Sequence, residues 1–306
     1  MNQYINSTER KKAQGILLLR GLGLGLSLAC CIYILTQHGS SLKLLLKLNP
    51  ASFGYILIAV LCWVGVNTCL GLGWAKAIEL QNPSLRANIK ASIFLNFRTQ
   101  IGKYLPGNVF HFAGRFYYAK KMGLAHKSST FSTLFEAGSL SLLALVLSTP
   151  LILSQLNYLL IPISLLSIAI LYLFYFTLFY FFNKRPPPLT NWATWLQSIA
   201  YYLALLILQT CLFLVLQTEF APELNWSLDK TISIIAFSWI AGFLAFGAPG
   251  GLGVREAVML HYADSTSSSA IFLCVAIMRI ASLIADVICY LISQCIRLDS
   301  LKIAKN

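Results

Sequence analysis

Glu136, Arg279 and Asp286 stand inside long apolar stretches, and four more basic residues, Arg98, Lys103, Arg115 and Arg255, lie around two Pro-Gly breaks, Pro106-Gly107 and Pro249-Gly250. Charges at such depth are costly and face a bundle interior or a polar cavity, which makes them functional candidates. Residues 98 to 122 read RTQIGKYLPGNVFHFAGRFYYAKKM. Pro106 removes a backbone donor and Gly107 permits unusual dihedrals, so a helix breaks here and leaves amides free to face an anion. Asn108 and His111 join Arg98, Lys103 and Arg115 around the break. Lys103, Gly107, His111 and Arg115 follow at steps of four, so His111 and Arg115 share a face with Gly107 if helix resumes. An Arg fork and a Lys point charge beside free amides suit a phosphate group. The alternative is a juxtamembrane basic loop that touches lipid headgroups.

The second break, residues 245 to 259, reads AFGAPGGLGVREAVM, with four glycines around Pro249 and then Arg255-Glu256. Unpaired backbone groups are expensive in lipid, so Gly250 and Gly251 are expected to line an enclosed or watery cavity, with a tight external turn as the alternative. Arg255 and Glu256 open the next half-helix, and as sequence neighbours they point apart and do not form a simple pair. Arg279 and Asp286 are two turns apart, which leaves Arg279 to meet Glu136 or a substrate, unless the buried charges form a purely structural ion pair.

The elements that must position these groups are membrane spans. Of 306 residues, 58% are apolar and 11% charged, and mean hydropathy is +0.72. A soluble domain is nearer half apolar and a quarter charged. The apolar runs leave no polar stretch large enough for a separate soluble domain. Runs of spanning length cover about 16–36, 52–73, 129–153, 158–182, 195–217 and 268–294, which makes six helical crossings. Two further segments, about 88–118 and 231–262, are interrupted by Pro and Gly and carry charges near their middles.

The net charge of +13 points to cytoplasmic loops and anionic headgroups rather than nucleic acid. The eight cysteines all lie in or at the edge of apolar runs with no CxxC pair, so they read as small hydrophobes, and neither a metal nor another cofactor is expected. With the N-terminus inside and both interrupted segments re-entrant, 17 Lys and Arg fall on the cytoplasmic side and four outside. Both termini are then cytoplasmic, in a multi-pass protein of the plasma membrane (bacterial inner membrane type).

The chain also repeats. Pro106-Gly107 and Pro249-Gly250 are 143 residues apart, and the second and fifth runs begin 143 apart. Each half reads span, span, interrupted segment, span, and three crossings per half invert the second. The expected fold is therefore one all-α polytopic membrane domain over 1–306, of eight hydrophobic segments: six full spans and two re-entrant or broken-helix segments. The repeats are 16–153 and an inverted 158–294. Inverted repeats with discontinuous helices are a recurrent plan of transporters, with the substrate between repeats.

At GKYLPGNVFHFAGR, together with APGGLGVREA, the sequence resembles the transmembrane region of the lysylphosphatidylglycerol synthase and flippase-like family, which includes the membrane part of bacterial multiple peptide resistance factors. The resemblance in span pattern covers essentially the whole chain. It implies movement of a lipid between leaflets without the soluble synthase domain, and it points to Lys103, Pro106, Gly107, His111, Arg115, Pro249, Gly250, Gly251, Arg255 and Glu256. The expected partner is a membrane phospholipid or polyprenyl-linked lipid, with a second copy of the chain and a separate lipid-modifying enzyme left open. The competing classes are an integral-membrane enzyme using Glu136, His111 and Glu256 as acid-base groups, and a carrier of small anions.

Overall fold

In the computed structural model, the described residues are 50–82, 86–105, 109–152, 160–245, 247–263, 268–296 and 304–305, with isolated positions between 25 and 36. Apart from those isolated positions the expected first span, 16–36, lies outside the described residues, as do Pro106, Gly107 and Asn108. The rest is helical apart from one two-residue antiparallel pairing of Arg86–Ala87 with Ala304–Lys305.

Among the described residues, five helices are long and apolar enough to cross a membrane. They are α1 (Pro50–Gln81), α4 (His126–Leu147), α5 (Leu160–Asn183), α6 (Trp192–Phe220) and α9 (Ser268–Gln294). Helix α1 runs two turns past its expected end, because Lys76 and Glu79 pair at 2.9 Å along one helix face rather than ending it. Helix α4 bends at Ser148, whose hydroxyl donates back to the Ala144 carbonyl, and a further turn covers Thr149–Ile152. Helix α9 is the axis: 61% of its most apolar stretch is buried, against 22% for Leu166–Asn183.

Both interrupted segments form helix, break and antiparallel return. In the first, α2 (Ile89–Gln100) runs into a 3₁₀ turn, Ile101–Tyr104, and α3 (Phe110–Lys121) comes back. Asn88 caps α2 by accepting from the Ala91 amide at 3.1 Å. A Cβ on Gly114 would lie 3.3 Å from Thr99, and one on Gly102 2.9 Å from the His111 amide, so the strip of contact is small-to-small and the limbs antiparallel. Ala87 and Ala91 at the start pack with Ala119, Met122 and Leu124 at the end, so the chain leaves where it arrived. Gly123, at φ 83°, ends α3 with the Leu124 amide donating to Ala119.

The second segment repeats the plan with α7 (Leu228–Leu244), a 3₁₀ turn at Pro249–Gly251 and α8 (Val254–His261). Asp229 lies in the first turn of α7, where the Ser227 hydroxyl holds its carboxyl below the usual carboxylate range. At the tip, a Cβ on Gly242 would meet the Arg255 side chain, and one on Gly251 would lie 2.9 Å from the Gly242 backbone.

The two hairpins reach α9 from opposite ends. Arg98 donates to the Ser293 carbonyl at 2.6 Å, Lys103 and Tyr104 meet Asp286, and Gly250, Gly251 and Glu256 meet Arg279. From Ser293 to Arg279 is ~21 Å of helix at 1.5 Å per residue. The tips touch between these levels, where a Cβ on Gly250 would stand 3.3 Å from the Tyr104 ring.

Candidate functional site

Where the tips meet, a cavity opens between α1, α4, α6, α9 and the two hairpins; the volume open to the centre of a water-sized molecule is about 80 Å³. Lys103, His111, Glu136, Gly250, Arg255 and Arg279 line it. Six sequence candidates from four separate stretches of chain, the two hairpins, α4 and α9, thus converge on one space.

Three ion pairs surround the cavity. The Arg115 Nη1 donates to both Glu136 oxygens at 2.8 Å, while Nη2 donates to the Asn96 side-chain oxygen at 2.7 Å. The guanidinium lies 5.5 Å from the Trp74 ring, which covers one of its faces, while its enclosed Nε has no hydrogen-bond partner among the described residues. Asn96 in turn donates to the Asn67 carbonyl at 2.8 Å, and Asn67 donates to Asp286 at 2.8 Å. Asp286 also receives the Tyr104 hydroxyl and the Lys103 ammonium, each at 2.7 Å. The third pair joins Arg279 to Glu256, and the same guanidinium reaches the carbonyls of Gly250 and Gly251 at 3.4 and 3.2 Å.

Arg255 differs. It pairs with no carboxylate among the described residues, lies 5.7 Å from the Trp239 ring, and its enclosed Nε has no hydrogen-bond partner among them. Lys103, Arg115, Arg255 and Arg279 therefore face three carboxylates, Glu136, Glu256 and Asp286, with one positive charge in excess. His111 is buried beside Phe112, with Nδ1 enclosed and unpartnered among the described residues.

Several expectations change. Arg279 meets Glu256 and not Glu136, because the return of α8 along α7 carries Glu256 to α9, while α3 delivers Arg115 to Glu136 first. Arg98 does not reach the cavity: it caps the C-terminal carbonyls of α9, Ser293 at 2.6 Å and Ile296 at 3.4 Å, where a cation is favoured by the helix dipole. The second break does not offer all its amides. Those of Gly251 and Leu252 close turns on Ala248 and Pro249, and positive φ at Gly250 (58°) and Gly251 (71°) turns their carbonyls to Arg279. Arg255 and Glu256 point apart, as sequence neighbours on a helix must.

Sequence reasoning missed Asn67, Asn96 and Tyr104, which tie the ion pairs together. Asn67 had a readable signal, an amide side chain near the middle of an apolar span. Tyr104 had none, since a tyrosine beside Lys103 reads as an interfacial aromatic.

Gly251→Val is expected to prevent recovery of a monodisperse protein. Its φ of 71° and the 2.9 Å separation of a Cβ from Gly242 backbone atoms leave no room for any side chain. Gly54→Ala, where a Cβ meets nothing within 4 Å, serves as the control and should elute unchanged on size exclusion.

Neither a protein-family model nor a curated protein matches this chain, so the reading of the site rests on its geometry.

Proposed function

We propose that this membrane protein moves a phosphate-bearing lipid, or a lipid-linked headgroup, between the two leaflets. The observation that carries the reading is Arg255, the one cation around the cavity that pairs with no carboxylate among the described residues, where two broken-helix hairpins meet. A guanidinium fork with an unused donor suits a phosphate, and the excess of one positive charge suits a monoanion. Acyl or prenyl chains would remain in the bilayer while the headgroup occupies the cavity, a division of labour that an apolar exterior with Leu57, Leu61 and Ile207 exposed accommodates.

In this reading the chain is an inverted repeat of six crossings and two re-entrant hairpins. The ion pairs support it: Glu136 and Arg279 stand 143 residues apart, the same offset as Pro106 and Pro249. Each is the span half of a pair whose other half sits on the returning limb of the preceding hairpin, with the charges exchanged. The resemblance to the flippase-like family points the same way. Alternate rocking of the repeats would open the cavity to each leaflet in turn.

Purified protein in vesicles carrying a fluorescent phosphatidylglycerol tests the reading. Loss of outer-leaflet fluorescence to a membrane-impermeant quencher should proceed past one half in protein-containing vesicles and stop near one half without protein. Equal plateaus would sink the proposal.

The proposed orientation has its own prediction. In a cysteine-free background, Lys120→Cys should be modified only from the cytoplasmic side and Asp229→Cys only from outside, both positions being exposed in the fold. Labelling of both from one side would overturn the inverted arrangement.

A further inference from the structure

Asp286 is fully buried and does not line the cavity, whereas Lys103, which pairs with it at 2.7 Å, does. Lys103 is thus the one charged group that touches both the space for a ligand and the carboxylate behind it. Its ammonium is a point charge on a flexible four-carbon stem, able to turn from one partner to another. The other groups facing Asp286 are neutral: Tyr104 at 2.7 Å and Asn67 at 2.8 Å, with Cys289 one turn along α9 and 3.8 Å from the same Asn67 amide. From the packed elements, Arg279 is engaged by Glu256 and the Gly250 and Gly251 carbonyls, and Arg255 lies against Trp239. Nothing in this set replaces Lys103 as a counter-charge once it leaves.

We infer that Asp286 is a proton-binding site coupled to the anion: a phosphodiester entering the cavity takes the Lys103 ammonium, and Asp286 takes one proton from water in exchange. The inference rests on the phosphate reading of the cavity and goes beyond it by naming the coupling ion. The Lys103 to Asp286 ion pair breaks, a Lys103 to phosphate ion pair forms, and one O–H bond forms on Asp286. One negative charge and one positive charge arrive together, so the charge within the bundle is unchanged. A buried carboxylate stripped of its ammonium is otherwise unfavourable, by the cost of desolvating an unpaired ion. Because the bound state holds one more proton, affinity falls as pH rises, by up to ~tenfold per pH unit through linkage. In a membrane with a proton gradient, proton and headgroup would move in the same direction.

The test uses the full chain in detergent and two phosphodiester probes, short-chain dihexanoyl phosphatidylglycerol and soluble glycerophosphoglycerol, neither of which titrates near neutrality. Calorimetry in buffers of different ionisation heat counts protons taken up per anion bound. The expected result is about one proton between pH 6 and 8 with the lipid probe, and the same count with the soluble probe if a bare phosphodiester suffices. Asp286→Asn should bind more tightly at pH 8, with no proton uptake and no pH dependence, because Lys103 is then free from the start. Lys103→Gln should also lose the uptake. Binding of the lipid probe to the unaltered protein without proton uptake, or uptake that persists in Asp286→Asn, overturns the inference and leaves the phosphate reading standing. Absence of binding by either probe at any pH overturns both.

Discussion

Replacing Arg255 by Met is expected to weaken binding of a phosphodiester headgroup by about thirtyfold or more, the size of loss that follows when a charged partner is taken from an enclosed ion pair. Arg255 is the only cation of the four around the cavity that no carboxylate engages among the described residues, so its charge is available to a ligand without the loss of an ion pair. Methionine keeps an unbranched stem against Trp239 and clears Gly242, which the arginine side chain now covers, so the hairpin retains its packing. Arg255→Lys separates geometry from charge. A lysine there restores the net charge but not the planar fork, so affinity should recover only in part. Binding of short-chain phosphatidylglycerol by calorimetry reads all three proteins. Equal affinity in the Met variant would place the anion elsewhere and turn attention to Lys103 and His111.

The spans and the two breaks were legible because hydropathy and Pro-Gly punctuation are local properties. The run 268–294 and helix α9 coincide, and the second break falls at Pro249, where the sequence interrupts an apolar segment. Partners across the bundle were less legible. Spacing along one helix says that Arg279 and Asp286 cannot pair with each other, but their partners depend on how far each hairpin penetrates. That depth is set by contacts between small residues, Gly102 with His111 and Gly242 with Gly251, which no periodicity records. Arg98 shows the same limit from the other side: it shares a segment with Lys103, yet five residues of helix and 3₁₀ turn carry it to the far end of α9.

The two hairpins hold their spans with opposite polarity. In the first half the returning limb carries the cation, Arg115, and the span carries the anion, Glu136; in the second the limb carries Glu256 and the span Arg279. Two hairpins holding to two spans by opposite polarity cannot exchange partners without bringing like charges together, since Arg115 would meet Arg279 and Glu256 would meet Glu136. The arrangement therefore specifies which hairpin belongs to which span.

The largest loss of stability is expected from breaking the Arg115 to Glu136 pair on one side only. Arg115 is 1% exposed and Glu136 3%, and three charge-assisted bonds of 2.7 to 2.8 Å satisfy the guanidinium edge and both carboxylate oxygens. Arg115→Ala strands a carboxylate in the interior and leaves the Asn96 oxygen without its donor, a change of about 3–5 kcal/mol by comparison with other buried pairs. Lysine at 115 should lose nearly as much, because one ammonium cannot meet both Glu136 oxygens and Asn96 in the plane that the fork now occupies. The double variant Arg115→Met with Glu136→Leu removes both charges and keeps apolar volume on each side, so it should regain much of the stability that either single change loses. Thermal unfolding of the detergent-solubilised proteins gives the ranking. If instead Arg115 meets the headgroup directly, Arg115→Ala would weaken phosphodiester binding while its unfolding midpoint stayed close to that of the unaltered protein. The two bonds to Glu136, the third to Asn96 and the absence of Arg115 from the cavity lining argue for the first outcome.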